Sequence, residues 1–110
     1  MLRLGWFSTG RGEGSRGFLE LVYQEIVTKK LDASFEFVFT NREYGEADGS
    51  DRYQHLVKQY DVPLLALSSK RYQEEHGGSP WAQHRKGFHK QAMELIAKYD
   101  PDICVLAGYM

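Results

Sequence analysis

The chain has 110 residues, of which 42% are hydrophobic and 26% charged, and a formal net charge of −1. That balance fits a single folded domain over residues 1–110 and argues against a general polyanion binder or a membrane-surface protein. The one cysteine excludes an internal disulfide, and no apolar run approaches the ~18 residues of a membrane span or the pattern of a signal peptide.

Residues 2–8 read as a short strand. The cluster Thr9-Gly-Arg-Gly-Glu-Gly-Ser-Arg-Gly17 follows and is too glycine-rich for regular structure. Phe18, Leu21, Val22 and Ile26 recur at helical spacing, so the spacing predicts a helix over 16–30. Phe35, Phe37 and Phe39 alternate with other residues and predict a strand at 34–40 whose phenylalanines face the sheet core. Asn41 to Gly49 reads as a polar loop. Ser50 is placed to cap a helix carrying Tyr53, Leu56, Val57 and Tyr60. Val62–Leu67 is a third strand, with Pro63 near its start.

Residues 68–83 are polar, contain Gly77-Gly78-Ser79-Pro80, and read as a long loop. Phe88, Ala92, Leu95, Ile96 and Tyr99 mark a helix over 82–98, which Asp100-Pro101 ends. Ile103–Ala107 is apolar enough for a strand buried on both faces, with Cys104 a small core hydrophobe. The order βαβαβαβ, with right-handed crossovers, implies an α/β fold: a three-layer parallel sheet of Rossmann or flavodoxin type.

The glycine cluster lies between a strand and a helix, where unpaired amides and the helix dipole attract an anion. Gly12-Glu13-Gly14-Ser15-Arg16-Gly17 fits G-x-G-x-x-G, and Arg11 and Arg16 add charge. A dinucleotide reading wants an acid after the second strand; Thr40-Asn41-Arg42 has none, which disfavours NAD and leaves NADP open. Ser8-Thr9-Gly10 is similar to the start of a flavodoxin phosphate loop, without the Thr- and Asn-rich remainder. His84 and His89 stand five apart, so no metal pair is expected. His55, His76, His84 and His89 read as surface residues, Trp6 as core, and Trp81 as packing locally or flanking a ligand.

Three segments resemble the glycinamide ribonucleotide formyltransferase family. Ser8 with Gly14-Ser15 is similar to that family's S-G-N-G-S-N loop. Val38-Phe-Thr-Asn-Arg42 is similar to its V-x-S-N-K/R segment, and Tyr99-Asp-Pro-Asp-Ile-Cys-Val-Leu-Ala-Gly-Tyr-Met110 to its Y-x-P-D-x-x-V-L-A-G-F/Y-M segment. The resemblance covers the chain and implies the N-terminal, nucleotide-binding half of an enzyme of purine biosynthesis.

By that resemblance Gly12, Glu13, Gly14, Ser15, Arg16 and Arg85 hold the phosphate of glycinamide ribonucleotide or another phosphorylated small molecule. Gly108, Tyr109 and Met110 form a wall of the pocket for the cosubstrate 10-formyltetrahydrofolate, and Phe88 falls on the family's aromatic. The glycine loop is about two residues longer than the family pattern, and Arg16 stands where Asn is usual. The family's catalytic Asn, His and Asp lie beyond its A-G-x-M motif, so no catalytic residue is assigned. Residues 1–110 are expected to bind phosphate with little or no catalysis. A cytoplasmic location is expected, with no nucleic-acid or membrane partner, and a homodimer through the bare edge of strand 103–107.

Overall fold

The structure, a computed structural model, describes residues 1–78 and 80–109. Its elements run β1 (Leu2–Phe7), α1 (Glu13–Val27), β2 (Ala33–Thr40), α2 (Asp48–Gln59), β3 (Leu64–Ala66), α3 (Ser69–Glu75), a 3-10 turn at Trp81–Gln83, α4 (Arg85–Ile96) and β4 (Ile103–Leu106). The strands form one parallel sheet in the order β3-β2-β1-β4. The expected α/β fold is present. No helix of the described residues is long and apolar enough to cross a membrane.

Alternation along β1 sends Trp6 to one face and Phe7 to the other. Trp6 packs with Leu19 of α1, Val38, and Tyr53 and Val57 of α2. Phe7 packs with Phe37, Phe39, and Phe88 and Ala92 of α4. The helices therefore cover both faces, α1 and α2 on one and α4 on the other.

The three phenylalanines of β2 do not share a face. Leu4 pairs with Phe35 but Gly5 with Phe37, so Glu36 is an extra residue in the ladder. This bulge turns Phe35 toward Trp6 (ring centroids 5.4 Å apart) and leaves Phe37 against Phe7 (5.6 Å).

Four further expectations need correction. The helix after the glycine cluster starts at Glu13, not 16, so Gly14 and Gly17 lie inside it; Gly12 is its N-cap residue. Ser50 is not the cap of α2: Ala47 is, and the buried Ser50 hydroxyl instead reaches the Thr9 carbonyl at 3.5 Å. Residues 68–83 hold α3, capped by the Ser68 hydroxyl accepting from the Arg71 amide at 3.0 Å, and the 3-10 turn. Tyr72 and Trp81 anchor these pieces on Phe88, with ring centroids 5.7 and 5.4 Å from it. Two aromatics were too few to show as a periodic pattern.

The fourth correction concerns β4. It is the outermost strand beside β1, with Ile103 48% and Leu106 67% exposed and Cys104 exposed. Its apolar run reflects uncovered faces and not a buried strand. Its start is tied to β1 by Asp102, which accepts from the Arg3 amide at 2.8 Å and from the Arg3 guanidinium at 3.1 Å. Those hydrogen bonds hold the Asp102 carboxyl below its ordinary range.

The glycine segment is seated on Tyr53. Gly10 has φ +71°, and a Cβ there would stand 2.6 Å from Tyr53 Cγ. A side chain is thus excluded both by backbone strain and by space. The Tyr53 hydroxyl lies beside the Ser8 hydroxyl and the Trp6 indole without reaching a hydrogen bond of good geometry. Burial pushes this phenol up to about 12.

Two stability measurements check this packing. By urea denaturation, Gly10→Ala is expected to lose about 2–4 kcal/mol, whereas Gly17→Ala, with nothing within 4 Å of the new methyl, gains about 0.5–1 kcal/mol. Equal effects at the two positions would contradict the seat. For Tyr53, below pH 10 the phenol is neutral whether the chain is folded or not. Between 10 and about 12 only the unfolded chain ionises, so stability falls as pH rises through that window. Tyr53→Phe is expected to leave stability at pH 7 unchanged or higher and to remove roughly 2–3 kcal/mol of the alkaline loss. The residual slope belongs to other groups, including Tyr60 and Tyr109, both also raised by burial.

Candidate functional site

Open parallel sheets bind ligands at the carboxyl ends of their strands, where successive connections leave in opposite directions. In the order β3-β2-β1-β4 that point lies between β1 and β4. The two strand ends are joined there: the Thr9 amide donates to the Gly108 carbonyl at 3.2 Å and the Ala107 amide to Phe7 at 2.7 Å. A Cβ on Gly108 would stand 3.0 Å from the Ser15 hydroxyl. The two glycine motifs at opposite ends of the chain therefore meet at one place.

The amides leading into α1 divide into two groups. Those of Ser8, Thr9 and Gly10 are satisfied by the Phe39 carbonyl, the Gly108 carbonyl and the Ser8 hydroxyl. Those of Arg11, Gly12, Glu13, Gly14 and Ser15 meet no acceptor among the described residues, and Arg16 resumes the helical pattern by donating to Gly12 at 3.4 Å. The open amides crown a helix of 15 residues, so partial positive charge gathers there. This arrangement can accept an anion.

The other expected site residues are distributed as follows. Ser15 is half-buried beside Gly108. The Arg16 guanidinium donates to the Gly49 carbonyl of α2 at 3.3 Å. Arg85 is exposed at the first turn of α4, on the other face of the sheet from α1, with no hydrogen bond or ion pair among the described residues. Tyr109 packs its half-buried ring on Phe7 (5.7 Å) and lies 6.2 Å from the His89 ring. Met110 lies outside the described residues. Among those residues no group of three or more His, Cys, Asp or Glu is placed to hold a metal ion.

Beside the open amides lies a cleft of about 460 Å³, with Arg11, Arg42, Glu46, Ser69, Lys70 and Trp81 in its walls. It stands at the carboxyl ends of β1, β2 and β3. Its floor is latched by Ser69, whose amide donates to the Asn41 carbonyl at 3.1 Å. The Ser69 hydroxyl oxygen takes hydrogen bonds from Asn41 Nδ2 and from the Arg42 guanidinium, each at 3.2 Å. Asn41 is fully buried, and its Oδ1 has no partner. Sequence reading missed this cleft because one of its walls, α3, was taken for loop. The signal that was available is Ser68, followed three residues later by Arg71 at the start of a short helical turn.

No protein-family model matches the sequence, and no curated protein matches it. Solved structures do. The chain superimposes on glycinamide ribonucleotide transformylase 1 from Symbiobacterium toebii with a TM-score of 0.69 and 22% identity, covering 100% of this chain and 42% of that one. It superimposes on phosphoribosylglycinamide formyltransferase from Bacillus halodurans with a TM-score of 0.67 and 22% identity, covering 98% of this chain and 45% of that one. The chain spans less than half the length of either. Residues 1–110 thus have the α/β fold of part of these transformylase chains.

Proposed function

We propose that residues 1–110 are the phosphate-binding half of a folate-dependent formyltransferase. In this reading the acceptor is glycinamide ribonucleotide, its phosphate rests on the amides of Arg11 to Ser15, and the formyl donor is 10-formyltetrahydrofolate. The observation that carries the reading is the run of open amides at the start of α1, placed against Gly108 at the sheet's switch point. The sequence motifs and the transformylase fold support it.

Formyl transfer needs the amine held next to the formyl carbon, a donor for the tetrahedral oxyanion, and a group to move the proton. Residues 1–110 address the first need. They contain no Asn-His-Asp set at recognisable positions, so by themselves they hold the acceptor and do not turn it over. Arg85 belongs to the same proposal as a second phosphate contact, worth about 1.5–3 kcal/mol if made. Gly108 and Tyr109 form one wall of the folate pocket. The protein works in the cytoplasm on small molecules.

The outer edge of β4 supports a further part of the reading, a homodimer. Its unpaired backbone and exposed Ile103 and Leu106 border an apolar hollow of about 370 Å³ between Phe7, Met93, Leu106 and Tyr109. A second copy pairing there would cover both.

Calorimetric titration with glycinamide ribonucleotide and with inorganic phosphate tests the site. Ser15→Asp sets a carboxylate among the open amides while suiting the helix start, and is expected to weaken both ligands roughly tenfold or more. Unchanged affinity removes the loop from the site, and equal affinity of wild type and Arg85→Ala removes Arg85. For the dimer, sedimentation equilibrium is expected to show reversible self-association that Leu106→Lys abolishes; a monomer over a wide concentration range contradicts it.

A further inference from the structure

We infer that the cleft at the carboxyl ends of β1, β2 and β3 is a second anion subsite, taking a phosphate group on Arg42, Arg11 and Lys70 with a planar ring against Trp81. The ligand class is a nucleotide carrying two separate phosphates. This goes beyond the acceptor named above, which carries a single phosphate, and rests on that reading only for the first phosphate, the one placed on the α1 amides.

Charge is the first support. The cleft's walls set three cations, Arg11, Arg42 and Lys70, against one carboxylate, Glu46. That carboxylate is engaged with the Glu43 amide at 2.5 Å. Glu43, next in sequence to Arg42, is paired with Arg71 at 2.6 Å and also accepts from the Ser68 amide. Arg11, Arg42 and Lys70 form no ion pair among the described residues.

Arg42 is the second support. The residue is partly buried, and it lines the cleft without a carboxylate partner among the described residues. Among the described residues its guanidinium makes one hydrogen bond, to Ser69 Oγ, a neutral acceptor, which fixes its direction and leaves most of its donors unused. Its backbone is fixed as well, the Gln54 amide donating to its carbonyl at 3.0 Å and the Thr40 hydroxyl accepting from its amide. A guanidinium positioned so firmly without a counter-ion suits a bidentate phosphate contact.

Continuity is the third. Arg11 belongs both to the open amides and to the cleft wall, so one elongated ligand can span the two. Arg42 follows β2 directly, where doubly wound folds seat a ribose and, with an arginine, its additional phosphate. Trp81 meets Phe88 at 5.4 Å and also stands in the cleft wall. An aromatic side chain in a cleft wall can pack against a planar ring.

The test compares adenosine 2′,5′-bisphosphate with adenosine 5′-monophosphate by calorimetry at constant ionic strength. Wild type is expected to bind the bisphosphate roughly tenfold more tightly. Arg42→Gln with Lys70→Gln is expected to abolish that preference and keep the monophosphate within about twofold. Lys70→Gln alone, at an exposed position, is expected to reduce the preference and serves if the Arg42 change impairs folding. Ser15→Asp reports on the loop separately: it weakens both nucleotides alike, and no effect there removes the loop reading while leaving the cleft standing. Equal binding of the two nucleotides by wild type, a preference that survives the substitutions, or binding of neither overturns the cleft proposal.

Discussion

The structure depends on how the chain leaves β1. Gly10 turns through a left-handed conformation and packs closely against the Tyr53 side chain. That contact fixes α2 beneath the loop and directs the next amides outward. Ser8, Thr9 and Gly10 spend their amides on the protein, while the residues just beyond do not. The partition follows from backbone geometry: the first amides of any helix lack internal acceptors. What is particular here is that no side chain caps them, since the N-cap residue is a glycine.

The same junction holds the two ends of the chain together. Thr9 bonds to Gly108, Ala107 to Phe7, and Ser15 stands against Gly108. At the opposite end of these strands, Arg3 and Asp102 clasp β1 to β4. β4 is thus registered at both ends, although its outer edge and much of its side-chain surface are uncovered. A strand can be held by its backbone and two end contacts while its faces stay exposed.

Much of this was legible in the sequence. The alternation of strand and helix gave the parallel sheet, and the glycine cluster marked the connection between β1 and α1. The failures have physical causes. Strict alternation put Phe35, Phe37 and Phe39 on one face, but a single bulged residue, Glu36, reversed the first of them. The glycines up to Gly14 argued against starting the helix before 16, yet the packing of Leu19, Val22 and their neighbours against the sheet overrode that weak local preference. An apolar run at 103–106 read as buried because composition does not distinguish a covered strand from an exposed one at the sheet edge. The cleft around Arg42 was hidden because α3 presents only seven residues and one aromatic anchor, too little for a periodic signal.

The central claim is that the amides from Arg11 to Ser15 are open and accept a phosphate. It is tested most directly by following backbone amide resonances of isotope-labelled protein during titration with inorganic phosphate. The shifts are expected to concentrate at Arg11, Gly12, Glu13, Gly14 and Ser15, with Ser8, Thr9 and Gly10, already bonded within the protein, moving far less. Saturable shifts confined to other parts of the chain, or none at all, would contradict it.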